Sequence, residues 1–159
     1  MGRAKTNKVC WVGPFRLRDY LEMAADPKQV RPPEYKGVYI LSQRPWVGVP
    51  TKDDSILYVG GNTTEWGYFR RRVGDLVADV LGFFNKEFGH NPGGQSAWRF
   101  CRRNHLKPLD LYLGWVEGVH CPMCAEKEVY EKLGSALGRR APPRCKIHTP
   151  PLLACFELR

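Results

Sequence analysis

The side chains best suited to chemistry stand far apart in this chain: Glu126, the run Arg70-Arg71-Arg72, the tyrosines Tyr39 and Tyr58, and a Cys/His group near the C-terminus. In the helical stretch around residues 126–137, Val129, Leu133, Ala136 and Leu137 define a stripe for burial. Glu126 projects onto that same face, whereas Glu128 and Glu131 project to solvent. A carboxylate turned toward a core needs a partner, because an isolated buried charge is too costly to keep. A hard divalent cation or Arg72 would serve, the plain alternative being a structural ion pair between glutamate and arginine. At about 100° per residue, Arg72 flanks the edge of its own helix's apolar stripe, Arg71 faces away, and Arg70 lies within the opposite edge. Arg70 is therefore the rival to Arg72, and a solvated basic first turn is the reading that uses neither.

The tyrosines occur in two mirrored phrases, Gly37-Val38-Tyr39 and Tyr58-Val59-Gly60. If the two strands pair antiparallel, the reversed order brings both phenols to one side of the sheet, and the glycines leave backbone room for a phosphate chain. Half-buried strand aromatics with no further role would look the same. Cys121 and Cys124 form a Cys-x2-Cys pair, and Cys145 and His148 form a Cys-x2-His pair twenty residues further on. Thiolate and imidazole in two chelating pairs suit a closed tetrahedral zinc site, with His120 as a substitute ligand; reduced thiols near strand and helix ends are the alternative.

These residues need a scaffold. A 159-residue chain that is 43% hydrophobic is the size of one domain with one core. Residues 1–8 read as a basic arm and 15–25 as a short helix, with Pro32 and Pro33 forcing an extended connector. Residues 36–42 and 55–60 read as strands. Phe69, Val73, Leu76, Val77, Val80, Leu81 and Phe84 recur at helical spacing. The stretch "HNPGGQ", residues 90–95, reads as a loop, residues 96–104 as a helix, 109–117 as a third strand, and 122–137 as a last helix ended by Gly138. The final "LLACFELR" is expected to be an edge strand or a docked tail. The fold class is thus α+β, a small, mostly antiparallel three-stranded sheet flanked by helices, with an N-terminal helical extension. A net charge of +9 favours a polyanionic partner. No apolar run spans a membrane and no signal peptide opens the chain, so the expected setting is cytoplasmic, nuclear or nucleoid-associated, without secretion.

The element order together with the mirrored phrases resembles the GIY-YIG nuclease family. Gly37-Val38-Tyr39 and Tyr58-Val59-Gly60 stand at its two namesake motifs, Phe69-Arg70-Arg71-Arg72-Val73 fits its helix arginine at Arg72, and the stretch from Glu126 to Leu133 fits its glutamate helix. The resemblance covers roughly residues 36 to 140. It divides the chain into residues 1–35, a basic arm and helical extension, and residues 36–159, a nuclease domain. It implies phosphodiester hydrolysis with one divalent metal. Glu126 would ligate Mg²⁺ or Mn²⁺, Arg72 would stabilise charge on the scissile phosphate, Tyr39 would accept a proton from the attacking water, and Tyr58 would position that water or the phosphate. A free phenol has a pKa near 10, so Tyr39 needs help from the metal's water shell or a cation. Arg70, Arg71, Arg99, Arg102 and Arg103 would contact backbone phosphates of DNA, with RNA as an open alternative, and Trp66 and Trp98 would offer stacking faces.

Two departures stand out. The family's asparagine beyond the glutamate helix has no counterpart in "APPRCKIHTPP", where either Lys146 or His148 substitutes or the active site is altered, and Leu76 stands where some members have a histidine. The expected function is a compact metal-dependent DNA endonuclease, acting as a homodimer if it cuts both strands in one encounter. A non-catalytic, zinc-stabilised nucleic-acid-binding module and an effector nuclease acting on RNA are the competing classes.

Overall fold

A computed structural model of the chain describes residues 10–53, 55–62, 68–87, 89, 91–138, 141–143 and 145–146. The elements run β1 (Cys10–Arg16), α1 (Leu17–Ala25), β2 (Val38–Ser42), β3 (Ile56–Gly61), α2 (Phe69–Val80), α3 (Pro92–Arg103), β4 (Tyr112–Glu117) and α4 (Pro122–Leu133). The four strands form one antiparallel sheet in the order β1-β4-β2-β3. The class is α+β as expected, but the sheet has four strands rather than three, and the described N-terminal part begins with a strand rather than a helical extension. The added strand, β1, pairs with β4. Its alternation is broken by Gly13-Pro14, where the register shifts, so its sequence does not read as a strand. Gly13 holds a φ of +93° and lies against the Leu113 carbonyl, a position that no side chain could share.

Alternation along the central strand β2 sorts two cores onto the two faces of the sheet. Tyr39 and Leu41 join Phe69, Val73, Leu76, Leu113 and Trp115 beneath α1, α2 and α3. Val38 and Ile40 join Val59, Val116, Ala125, Val129 and Leu133 beneath α4. Every residue of β2 is buried, as a strand covered on both faces must be.

Two helix boundaries differ from the sequence expectation. Helix α3 starts at Pro92, so "PGG" is a helix N-terminus and not a loop. Asn91 caps it by accepting from the Gly94 amide at 3.0 Å, with Pro92 at the first helical position. Helix α4 ends at Gly134, at a φ of +71°, four residues before Gly138. Beyond it the Ala136 and Leu137 amides donate to the Ile56 and Leu57 carbonyls, and Ser135 Oγ donates to the Leu57 carbonyl at 2.9 Å. Residues 135–137 thus cover the free edge of β3, which would otherwise present unpaired backbone groups. The residues expected as a basic arm (1–8) and as a final strand or tail (152–159) lie outside the described residues, as do Trp66 and His148.

Candidate functional site

The register of β2 and β3 brings the two tyrosines together. Tyr39 lies opposite Gly60 and Tyr58 opposite Leu41, so the phenols sit diagonally on one face, with ring centroids 6.2 Å apart and planes inclined by 20°. On its other flank the Tyr39 ring lies 6.2 Å from that of Phe69, the first residue of α2. The glycines do make room, but for protein groups rather than a phosphate chain. A Cβ on Gly37 would strike the Phe69 ring, one on Gly60 would strike the Tyr39 hydroxyl, and one on Gly93 would strike the Tyr58 ring. These glycines are the seats of the aromatic cluster.

Glu126 reaches the same end of the sheet from the opposite face. On α4 it lies within the buried set Pro122, Ala125, Glu126, Val129 and Leu133, and only 2% of its surface is exposed. A Cβ on Gly61 would stand 3.3 Å from Glu126 Oε2. Successive strand residues point to opposite faces. The adjacent glycines 60 and 61 therefore leave the strand end bare on both sides, with the Tyr39 hydroxyl filling one and the Glu126 carboxylate the other. The remaining glutamates of α4 are held outward in pairs one turn apart, Glu131 with Lys127 at 3.2 Å and Glu128 with Lys132 at 2.8 Å.

The structure separates the two rival arginines. Arg70 is exposed, its Nε donating to the Pro32 carbonyl at 2.9 Å, and its charge acts on Tyr20, whose phenol is raised by burial and only partly lowered by that guanidinium. Arg72 is half-buried, and its charge acts on Tyr39. Burial first, then the neighbouring Tyr58, hold the Tyr39 phenol above its ordinary range. A hydrogen bond from Asn91 and the Arg72 charge work in the opposite direction, and Glu126 adds to the upward push. One hydroxyl thus responds to Tyr58, Arg72 and Glu126 together. It is a neutral phenol at pH 7, able to donate and to position.

Asn91 is the residue that sequence reasoning missed. It is 1% exposed, and its Nδ2 donates to the Tyr39 hydroxyl at 3.1 Å and reaches the Arg72 carbonyl at 3.5 Å. Its own amide donates to the buried Asp79 carboxylate at 3.0 Å, which also accepts from Gln95 Nε2 at 3.1 Å. The available signal was Asn immediately before Pro at a helix start, a capping pattern hidden by the following glycines.

The other expected nucleic-acid contacts divide. Arg71 is exposed one residue from Arg72. Arg99 lies over the Phe84 ring at 5.6 Å and Arg102 over Trp98 at 5.4 Å, both on the outer surface of α3 with the exposed Arg103. Arg102 is ten residues from Pro92, or about 15 Å along the helix from the end that touches the tyrosines. These side chains can follow a strand leaving the site but not the group at its centre. Trp98 is occupied by Phe84 and Arg102. A better-placed aromatic surface is Tyr35 with Tyr68, both about half exposed with centroids 5.4 Å apart, flanking the segments that enter β2 and α2.

Further along, the Sγ atoms of Cys121, Cys124 and Cys145 lie within 4.8 Å of one another, the one such metal-capable group among the described residues. Cys121 caps α4 and Cys124 sits in its first turn. Burial first, and the two neighbouring thiols second, push Cys124 up to about 12. A divalent cation among the sulfurs would reverse that balance, since coordination removes the thiol proton outright. This cluster could hold a metal such as zinc. Lys146 lies beside it in sequence, and its expected partner His148 is outside the described residues.

Compared with family models, curated proteins and solved structures, the chain gives no match. Among the described residues no helix is long and apolar enough to cross a membrane.

Proposed function

We propose that the protein is a divalent-metal-dependent phosphodiesterase acting on DNA, built on a GIY-YIG-like scaffold. The observation that supports this reading is the disposition of four side chains from four separate elements about the end of β3: Tyr39 of β2 and Tyr58 of β3 stack on one face, Glu126 of α4 stands against Gly61 on the other, and the charges of Glu126 and of Arg72 from α2 both act on the Tyr39 phenol. A buried carboxylate is a hard oxygen donor, suited to one Mg²⁺ or Mn²⁺ whose shell is completed by water and a phosphate oxygen. Glu126 would hold that ion, whose contribution is to stabilise charge on the leaving oxygen.

The chain's own groups divide the remaining work. Arg72 would pair with the scissile phosphate through its planar guanidinium as negative charge develops. Tyr58 would orient the attacking water. Tyr39 is shifted against acting as a base, so its first role is to fix the phosphate or water by hydrogen bonding; proton acceptance requires the added positive charge of a bound cation. Asn91 would set the direction of the Tyr39 hydroxyl, a function fitting for a chain that lacks an asparagine after the glutamate helix. Arg71 would extend the grip along the backbone, and the Tyr35 and Tyr68 pair would supply a stacking face. In the same reading the Cys121, Cys124 and Cys145 cluster takes structural zinc.

Incubation of supercoiled plasmid with purified protein and Mg²⁺ or Mn²⁺ tests the activity. Nicked or linear product that depends on the cation supports the reading. Salt-dependent retention of DNA without cleavage under either ion would select the binding-module alternative, and cleavage restricted to RNA would select the effector alternative.

A further inference from the structure

We infer that the three-cysteine cluster is a metal clamp that fixes the helix carrying Glu126, so that occupancy of one metal site sets the geometry of the other. The sulfur positions are those of a coordination shell. Zinc bound by thiolates at about 2.3 Å in a tetrahedron requires sulfurs separated by about 3.8 Å. Cys121 Sγ and Cys145 Sγ stand 3.8 Å apart, and Cys124 Sγ lies within 4.8 Å of both. Packing does not account for the group. An unligated cysteine behaves as a small hydrophobe and is commonly buried, as Cys101 is, whereas all three clustered cysteines are only half-buried at the molecular margin.

The placement on α4 gives the site its consequence. The N-terminus of α4 has no side-chain cap: Cys121 occupies the cap position, and its sulfur meets Cys145 rather than a helix amide. Cys145, twenty-four residues from Cys121, brings the following segment back onto this end, where the Pro142 carbonyl accepts from Lys127 Nζ at 3.3 Å. Cys124 and Glu126 share a single helical turn. A metal on Cys121, Cys124 and Cys145 therefore holds the first turn of α4 at two points, and with it the carboxylate set against Gly61. Loss of the metal releases both of those points, while the apolar contacts of the helix and the Lys127 strut remain.

The functional consequence rests on the phosphodiesterase reading, while the binding and the positioning do not, and the experiment keeps them apart. Protein purified without chelators is assayed for zinc, then reconstituted with Co²⁺, and backbone amide exchange is followed in α4 with and without metal. The expected results are close to one zinc per chain, an intense near-ultraviolet thiolate-to-cobalt absorption, and amide exchange in residues 125–128 at least tenfold faster after metal removal, while β2 and β4 stay protected. Cys145→Ser, outside the helix, should weaken metal binding and reproduce the faster exchange. Absence of zinc and of the cobalt band would overturn the site, and bound metal whose removal leaves α4 exchange unchanged would overturn the clamp. If both results hold but Glu126→Gln cleaves as well as wild type, the clamp stands and the nuclease reading fails.

Discussion

Replacing Asn91 by alanine removes two separable interactions, and their sizes can be worked from the geometry. The side chain caps α3 through the Gly94 amide, a contact that contributes about 1 kcal/mol at a helix start. It also supplies the donor to the buried Tyr39 hydroxyl at 3.1 Å, and loss of such a buried partner costs about 1 kcal/mol. Asn91→Ala should therefore destabilise the fold by about 2 kcal/mol, lowering the melting temperature by about 4–8 °C for a chain of this size. Asn91→Ser keeps an oxygen for the cap but cannot reach the phenol, so it should lose about half as much. Combining Asn91→Ala with Tyr39→Phe gives the decisive number. If the hydrogen bond is real, the double variant loses about 1 kcal/mol less than the sum of the singles, measured by urea denaturation. Additivity of the two losses within about 0.3 kcal/mol would show that Asn91 and Tyr39 do not communicate, and the assignment of Asn91 to the site would fall.

Three further outcomes follow from the same geometry. Arg72→Lys should reduce the rate of DNA cleavage by about a hundredfold or more, whereas Arg70→Lys, whose residue contacts Pro32 and lies near Tyr20, should leave it within a few-fold of wild type; equal losses would contradict the separation of the two. Gly61→Ala would place a methyl 3.3 Å from Glu126 Oε2 and 3.0 Å from the Gly37 carbonyl, so cleavage should fall more than the melting temperature suggests, and a variant with full activity would show that the carboxylate is not held there. The Tyr39 phenol is raised above the ordinary phenol value of about 10, first by burial, so the stabilisation linked to its proton is complete below about pH 10 and is lost as pH rises through the folded-state value. Accordingly the advantage of wild type over Tyr39→Phe in denaturation should shrink above about pH 10, and a phenolate absorbance step at the highest pH should vanish in the variant; an advantage that grows with pH would reverse the sign.

Much of this architecture was legible because local periodicity coincides with burial. The stripe of Phe69, Val73, Leu76 and Val77 is buried beneath α2, and Val129 and Leu133 carry Glu126 inward as their spacing required. The condition attached to the mirrored tyrosine phrases is met as well, since the two strands pair antiparallel with Tyr39 opposite Gly60. What escaped detection depends on contacts distant in sequence. Strand β1 is fixed by β4, about a hundred residues away, and its own pattern is interrupted at Gly13-Pro14. The glycines of α3 suggest a turn by propensity, yet Gly94 is needed because a Cβ there would meet Asp79 and the α2 backbone at 2.7 Å. The outward end of α4 was extended by Ala136 and Leu137, apolar residues whose backbone is in fact spent covering the β3 edge. Asn91 was hidden for the same reason as α3, because its value lies in a phenol fifty-two residues away.

The central claim is that the Glu126 carboxylate, with Tyr39, Tyr58 and Arg72, forms one hydrolytic site. Its most direct measurement compares plasmid nicking by wild type and Glu126→Gln under saturating Mg²⁺ or Mn²⁺, with both proteins first matched in folded content by their melting curves. Wild-type cleavage alongside a variant that does not rise above the protein-free control is the predicted result. Equal nicking by the two proteins would contradict the claim and remove Glu126 from the chemistry.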